Sequence, residues 1–476
     1  MDSRLSARAL ATQLGGWRTR EPAYEALADG IRVLCLDGRI APRTALPAER
    51  ELAVALHVSR TTIATAYRSL RDSGHIESVR GSGSVTLPAA RSGGAAALGA
   101  REGDLDLQQA SPPAWPGLGG VVSEVLESAT SLLGRRGYDI VGSAGLRRAI
   151  ADRYTRSGVT TSPDEIMVTA GAQSGIHLLA SLLISRGDRA VIETPTYPHA
   201  AEALRRAGAR LVPVPVSAES GWDIDRATQA FARTLPTVAY LMPDFQNPTG
   251  SSMNAEEREA IIGAAARSGT VLLVDETTAD LDIDRRSPRA LFGAGEPGVE
   301  LVRIGSLGKT VWGGLRVGWI RADASLIRRL AALRSAHDLG TPELEQAVAQ
   351  RLVESLDLIL PQRSDLLREG RDTAIAALSK RLPSWDVPRP GGGVALWIGL
   401  DAPLSTSLVL DARASGLLLS AGPLFGIDGG HDARLRVPYT LPPAHLERAV
   451  AILADSWERV RDGAPADLVG RLESVV

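Results

Sequence analysis

Apolar positions in the first part of the chain recur at helical spacing and then switch to alternation. Between Glu21 and Leu36 they fall at Tyr24, Leu27, Ile31, Val33 and Leu34, which predicts a helix ending near Gly38. Leu46-Pro47-Ala48-Glu49-Arg50-Glu51-Leu52-Ala53 opens a second helix, with Pro47 suited to its first turn. A third is expected from Val58-Ser59-Arg60-Thr61-Thr62 through Tyr67 and Leu70 to Gly74, with Ser59 as its N-cap. His75 to Val79 and Val85 to Leu87 then read as two short strands around Arg80-Gly81-Ser82-Gly83. Three helices and a hairpin over residues 16–88 make a winged helix-turn-helix, whose third helix would present its amino end to a DNA major groove.

Periodicity is lost over residues 89–108, where Ala, Gly and Ser dominate, so a flexible tether is expected there. From 109 to 476 short β-rich runs alternate with helical patterns. That predicts an α/β domain with a mostly parallel sheet covered by helices on both faces, and a smaller α+β subdomain from about residue 350. Ligands in such a fold collect at the carboxyl ends of the strands.

Several candidate groups sit at such ends. Ile166-Met167-Val168-Thr169 is followed by Gly171-Ala172-Gln173, whose amides open a helix and suit a phosphate. Ala190 to Glu193 runs into Thr194-Pro195-Thr196-Tyr197, and Val238 to Met242 runs towards Asn247-Pro248-Thr249-Gly250. Thr270 to Val274 ends in Asp275, a carboxylate leaving a buried strand and in need of a cationic partner. Val302-Arg303-Ile304-Gly305 leads to Ser306-Leu307-Gly308-Lys309.

Composition sharpens only the last of these. Of 53 basic residues, Lys309 and Lys380 alone are lysines, and unlike arginine a lysine amine can lose its proton and add to a carbonyl. A formal charge of -2 argues neither for nor against nucleic acid, and residues 16–90 carry ten Arg against eight Asp plus Glu. The lone Cys35 excludes an internal disulfide and reads as a small core residue. No run approaches the roughly 20 apolar residues of a membrane span and no signal-peptide pattern is present, so a cytoplasmic location is expected. No metal is expected.

Leu-Pro-Ala-Glu-Arg-Glu-Leu-Ala, Val-Ser-Arg-Thr-Thr, Gly-x-Ile-Glu and Arg-Gly-Ser-Gly, in that order, closely resemble the GntR family of bacterial regulators. The resemblance implies that Arg50, Arg60 and Thr61 meet bases or phosphates of an operator, with Ser59 and Thr62 on the backbone and Arg80 and Gly81 in the wing. The remainder resembles the fold-type I, pyridoxal-phosphate (PLP) dependent aminotransferases, and the fusion looks like the MocR subgroup of GntR regulators. That resemblance implies an aldimine at Lys309, a phosphate held by Gly171, Ala172, Gln173, Ser306 and Arg316, Tyr197 over the ring, Asn247 on the phenolic oxygen and Asp275 on the ring nitrogen. Arg434 is the aligned candidate for a substrate carboxylate, with Arg436, two residues on and facing the same side, left open.

The sequence departs from the family in three places. Gly308 stands where a serine is usual. Thr277 and Thr278 replace a tyrosine on the phenolic oxygen, and Ile140 replaces one that reaches the partner's phosphate, with Tyr138 two residues early. The implied protein is a PLP-dependent regulator, a homodimer with exchanged winged helices, whose DNA binding responds to an amine, an amino acid or PLP itself. The alternatives are a working aminotransferase that also binds DNA and a cofactor-free dimerisation scaffold.

Overall fold

The computed structural model describes residues 4–14, 17, 22–36, 40–41, 43–72, 75–79, 83–87, 103–134, 137–284, 291–293, 298–427 and 429–462. Its amino-terminal module consists of α1 (Ala7–Leu14), α2 (Ala23–Leu36), α3 (Glu49–Ala55), α4 (Arg60–Asp72) and the hairpin β1 (Ile76–Val79) with β2 (Gly83–Thr86). The helix-turn-helix and wing are therefore as expected, with two differences. Pro47 and Ala48 stay extended ahead of α3, where the Tyr67 hydroxyl donates to the Pro47 carbonyl at 2.9 Å. An additional helix, α1, closes the module: Leu10 and Leu14 are buried with Leu27, Ile31, Leu52, Ile63 and Leu70 in one core. Cys35 lies in that core, and burial pushes its thiol up to about 12.

Residues 88–102, most of the expected tether, lie outside the described residues, as do Arg80 and Gly81. The end of that stretch is structured: β3 (Leu105–Asp106) pairs in parallel with β13 (Leu417–Leu418).

In the large domain α5 (Leu118–Glu127), α6 (Thr130–Leu133) and α7 (Ala144–Arg156) precede alternating strands and helices. These are β4 (Ile166–Thr169), α8 (Ala172–Leu183), β5 (Arg189–Thr194), α9 (Pro198–Arg206), β6 (Arg210–Ser217), β7 (Gly221–Trp222), α10 (Ile224–Thr234), β8 (Val238–Leu241), α11 (Ala255–Ser268), β9 (Val271–Asp275), β10 (Leu301–Ser306) and β11 (Gly318–Arg321). Among the described residues they form a sheet of order β4-β11-β10-β9-β8-β5-β6-β7. Neighbours from β10 to β6 are parallel, and β11 is antiparallel to both β10 and β4. Strands buried on both faces explain the continuous apolar runs of the sequence: one side packs Ile176, Leu179 and Leu204, the other Ile261, Ala265 and Phe292.

Then come α12 (Ala324–Arg334), α13 (Glu343–Glu354) and the long α14 (Leu356–Arg381), which crosses from the large-domain core at Ile359 to the small-domain core at Leu367 and carries Pro361 between them. The small domain is built from β12 (Ala395–Gly399), α15 (Ser405–Ala414), β13, β14 (Ser420–Ala421), β15 (Arg434–Pro438) and α16 (Pro443–Asp462), with sheet order β12-β15-β14. Helix α2 of the winged module packs against α15 of the same chain. No described helix is long and apolar enough to cross a membrane.

Candidate cofactor site and nucleic-acid interface

The parallel strands place their chemistry at one edge. Asp275 ends β9 and is 2% exposed; it accepts from the Tyr240 hydroxyl at 2.5 Å and from the Thr277 amide at 2.9 Å. Burial pushes its carboxyl above the usual range, while the Tyr240 and Thr277 hydrogen bonds oppose that. Thr278 turns away and donates to the Asp244 carbonyl at 3.0 Å. Lys309, in the turn after the neighbouring β10, donates from Nζ to the Ala110 carbonyl at 2.5 Å. Burial brings its amine down to about 8, helped by the Arg436 guanidinium and opposed by Asp275.

A phosphate-sized cradle adjoins this pair. Gly171, at φ 79°, precedes the amino end of α8, and a Cβ there would come within 2.8 Å of Arg316 Nη2. Arg316 is exposed and donates to the Ala170 carbonyl at 2.8 Å, so guanidinium and helix amides border one space. Ser306 Oγ donates to the Val317 carbonyl at 3.2 Å and accepts from the Gly308 amide at 3.0 Å. Glycine at 308 thus leaves the turn one hydroxyl short without unpairing its backbone. Asn247 Oδ1, Gln173 Oε1 and Thr196 Oγ1 are buried without hydrogen-bond partners among the described residues. Such atoms cost free energy unless a ligand answers them. A donor-lined cradle, orphaned polar atoms, an aromatic ring at Tyr197 and a buried acid beside a lysine fit a phosphorylated pyridine aldehyde.

The two candidate arginines are separated by their surroundings, although both lie on β15. Arg434 pairs with Glu219 at 2.8 Å towards solvent. Arg436 is 6% exposed, stacks over Phe425 at 4.7 Å and donates to the Gln108 carbonyl at 2.5 Å. Burial lowers it to about 10, partly offset by Tyr197. Of the two, Arg436 is the one within electrostatic reach of Lys309. At the position of the family's other missing tyrosine, Ile140 packs on the large-domain core, and Tyr138, two residues earlier, is 75% exposed.

Sequence reasoning passed over two supporting groups. Tyr240 entered only as one position of the run from Val238 to Met242, yet its hydroxyl meets Asp275. Glu193 accepts from Trp222 Nε1 at 2.9 Å, the Met242 amide at 3.0 Å and Gln246 Nε2 at 3.2 Å, and burial raises its carboxyl to about 7. It thereby fixes the turn that carries Asn247. A strand-terminal acid beside Thr194-Pro195 was the available signal.

In the winged module Ser59 caps α4, accepting from the Thr62 amide at 3.0 Å, with its hydroxyl 2.8 Å from that of Thr62. Arg50, Ser59, Arg60 and Thr61 are exposed, and Arg60 is lightly tied to Glu49 at 3.4 Å. Ser59, Arg60 and Thr61 lie at the amino end of α4, the helix that enters the major groove in this motif, while Arg50 lies in the first turn of α3.

Residues 127–453 match the family model for aminotransferase class I and II, and residues 23–85 match that for bacterial regulatory proteins of the gntR family. The chain belongs to the class I and II aminotransferase family and carries a gntR helix-turn-helix domain ahead of it. That fusion is the architecture of the MocR-type regulators. The uncharacterised HTH-type transcriptional regulator YdfD of Bacillus subtilis is 26% identical over 88% of this chain and 93% of its own length. The probable rhizopine catabolism regulatory protein MocR of Rhizobium meliloti is 29% identical over 63% of this chain and 65% of its own. Among solved structures, LysN, an α-aminoadipate aminotransferase from Thermus thermophilus complexed with N-(5'-phosphopyridoxyl)-L-leucine, superposes with a TM-score of 0.69 at 26% identity. It covers 76% of this chain and 94% of LysN.

Proposed function

We propose that this chain is a PLP-dependent, DNA-binding transcriptional regulator whose operator affinity responds to an amine, an amino acid or PLP itself. The observation that carries the reading is the convergence of Lys309, Asp275 and Arg436 on one site in a chain that also holds an exposed helix-turn-helix. Lys309 would bind the cofactor covalently and Asp275 would hold its ring nitrogen. Asn247 would meet the phenolic oxygen, Tyr197 would cover the ring, and Gly171, Ala172, Gln173, Ser306 and Arg316 would hold the phosphate. Bound there, PLP supplies an aldehyde that exchanges among amines and a ring that draws electrons. Arg436, rather than the solvent-facing Arg434, would take an amino acid's carboxylate bidentately. Arg50, Ser59, Arg60, Thr61 and Thr62 would contact the operator, with Arg80 and Gly81 in the wing.

A homodimer belongs to the same proposal. Leu133, Leu344 and Leu358 are exposed on α6, α13 and α14, and Trp312 is exposed in the Lys309 loop. Exchange of winged helices between the subunits stays part of that proposal; within one chain α2 packs against α15.

The test is operator affinity of the full chain with and without PLP and candidate amines, for wild type and Lys309→Ala. A shift confined to wild type is expected; equal affinity in every condition removes the sensing role. Turnover of an amino donor and a keto acceptor would favour the aminotransferase reading, against which Thr277 and Thr278 stand where a phenol is usual.

A further inference from the structure

The segment that leads from the winged module into the large domain runs directly over the site. Its strand β3 is anchored to the small domain, with the Leu105 and Leu107 amides donating to the Gly416 and Leu418 carbonyls at 2.9 Å each. Beyond it the Gln108 carbonyl accepts from Arg436 and the Ala110 carbonyl from Lys309, both at 2.5 Å. The Pro113 carbonyl accepts from Arg363 at 2.9 Å, and Trp115 Nε1 donates to Gln362 Oε1 at 2.9 Å.

Arg363 is unusual in its company. It is 2% exposed, and among the described residues it has no carboxylate partner. Its other hydrogen bonds go to the Thr310 and Val311 carbonyls, at 2.8 Å each, in the turn that carries Lys309. Burial of that charge lowers the guanidinium to about 10. Burying a cation that no acid neutralises is costly, and a core of this size could accept a leucine or methionine there. A planar fork that meets three carbonyls at once is what neither those residues nor a lysine supplies. Its position adds a second argument: it follows Pro361, which removes an N–H from α14 where the helix passes between the two domain cores.

We propose that Arg363 is a positioning residue that welds residues 113–115 to the Lys309 turn. The stretch 108–111 is left as the element that reports the state of the site to the winged module. The proposal rests on the sensing role above. Lys309 Nζ and the Arg436 guanidinium, the donors a bound cofactor and a bound carboxylate would recruit, are the donors that hold Ala110 and Gln108. Ligand arrival therefore competes with the middle of the segment, while Arg363 holds its far end and β3 its near end. From β3 the contacts continue through β13 to α15 and on to α2. The effect thus has a contiguous path from the site to the winged module.

The test is hydrogen exchange of the 105–115 amides in the full chain, apo and PLP-loaded, for wild type, Arg363→Lys and Arg363→Met. In wild type, PLP should change exchange over 107–111 at least about tenfold, the scale of one lost hydrogen bond, and leave the Trp115 amide, which donates to the Val311 carbonyl at 2.9 Å, protected. In Arg363→Lys, which keeps the charge and loses the fork, the Trp115 amide should exchange at least about tenfold faster in both states and the PLP-dependent difference over 107–111 should shrink. Borohydride trapping of PLP on Lys309 and unchanged operator affinity in the apo state certify that the variant is folded. If Arg363→Met alone fails to fold, the lysine variant decides. Wild-type exchange indifferent to PLP, or a lysine variant that exchanges like wild type, overturns the proposal. A PLP-dependent exchange change without any change in operator affinity leaves Arg363 its role and refutes the sensing function instead.

Discussion

Replacing Arg436 with methionine should make Lys309 a poorer nucleophile as well as remove the carboxylate site. In the folded chain the Lys309 amine titrates near 8 instead of 10.5, mainly through burial and secondly through the Arg436 charge. At pH 7 that leaves about a tenth of the amine neutral, against about three parts in ten thousand for an ordinary lysine. Without Arg436 the first cause remains and the second is lost, so the midpoint should rise by about one pH unit. The neutral fraction at pH 7 then falls to about a hundredth, and PLP incorporation slows about tenfold. The assay is the rate of PLP uptake across pH, read by visible absorbance and confirmed by borohydride trapping and mass. Arg434→Met, which breaks ion pairs with Glu219 at 2.8 Å and Asp386 at 3.8 Å, should leave the midpoint in place. An unmoved or lowered midpoint in Arg436→Met, or a raised one in Arg434→Met, would refute the assignment. The sign for stability follows from the same shift: the unfolded lysine keeps its proton until about 10.5 and the folded one releases it above about 8. Lys309 therefore makes the chain more stable as pH rises through that window, and Lys309→Met should lose that rise in thermal melts.

Three further outcomes are expected. Arg60→Ala should weaken operator binding across sequences, or relax specificity at one position. If its contact is to phosphate, the slope of log affinity against log salt should fall by about one. Ser59→Ala removes the cap on α4 and should cost about 1 kcal/mol in the unfolding of the winged module, read by denaturant titration. Arg303→Leu would strand Glu276, with which Arg303 forms a buried 2.7 Å pair also held by the Tyr154 hydroxyl. It should cost about 3–5 kcal/mol, visible as a large fall in Tm.

Much of this was legible in the sequence because motif and mechanism coincide. Ser59 caps α4 as its side chain demands, Asp275 ends a strand buried on both faces, and Gly171 sits at the positive φ that its close approach to Arg316 needs. What stayed hidden depended on which of two equivalent partners the fold selects. Alternation along β15 puts Arg434 and Arg436 on one face, and their different fates come from Glu219 at the rim and Phe425 beneath. Helix α1 was missed because eight residues carry too little periodicity, and its stability comes from the core it covers. Arg363 had no signal at all: one arginine among many, made informative by the three carbonyls around it.

The near absence of lysine has a practical corollary. Lys380 is exposed in the last turn of α14, whereas Lys309 is recessed and becomes chemically blocked whenever an aldehyde cofactor occupies it. An amine-selective tag, applied to intact protein and weighed, would therefore count vacant and filled sites once the α-amine's own label is subtracted, with Lys380 as a built-in calibration for complete labelling.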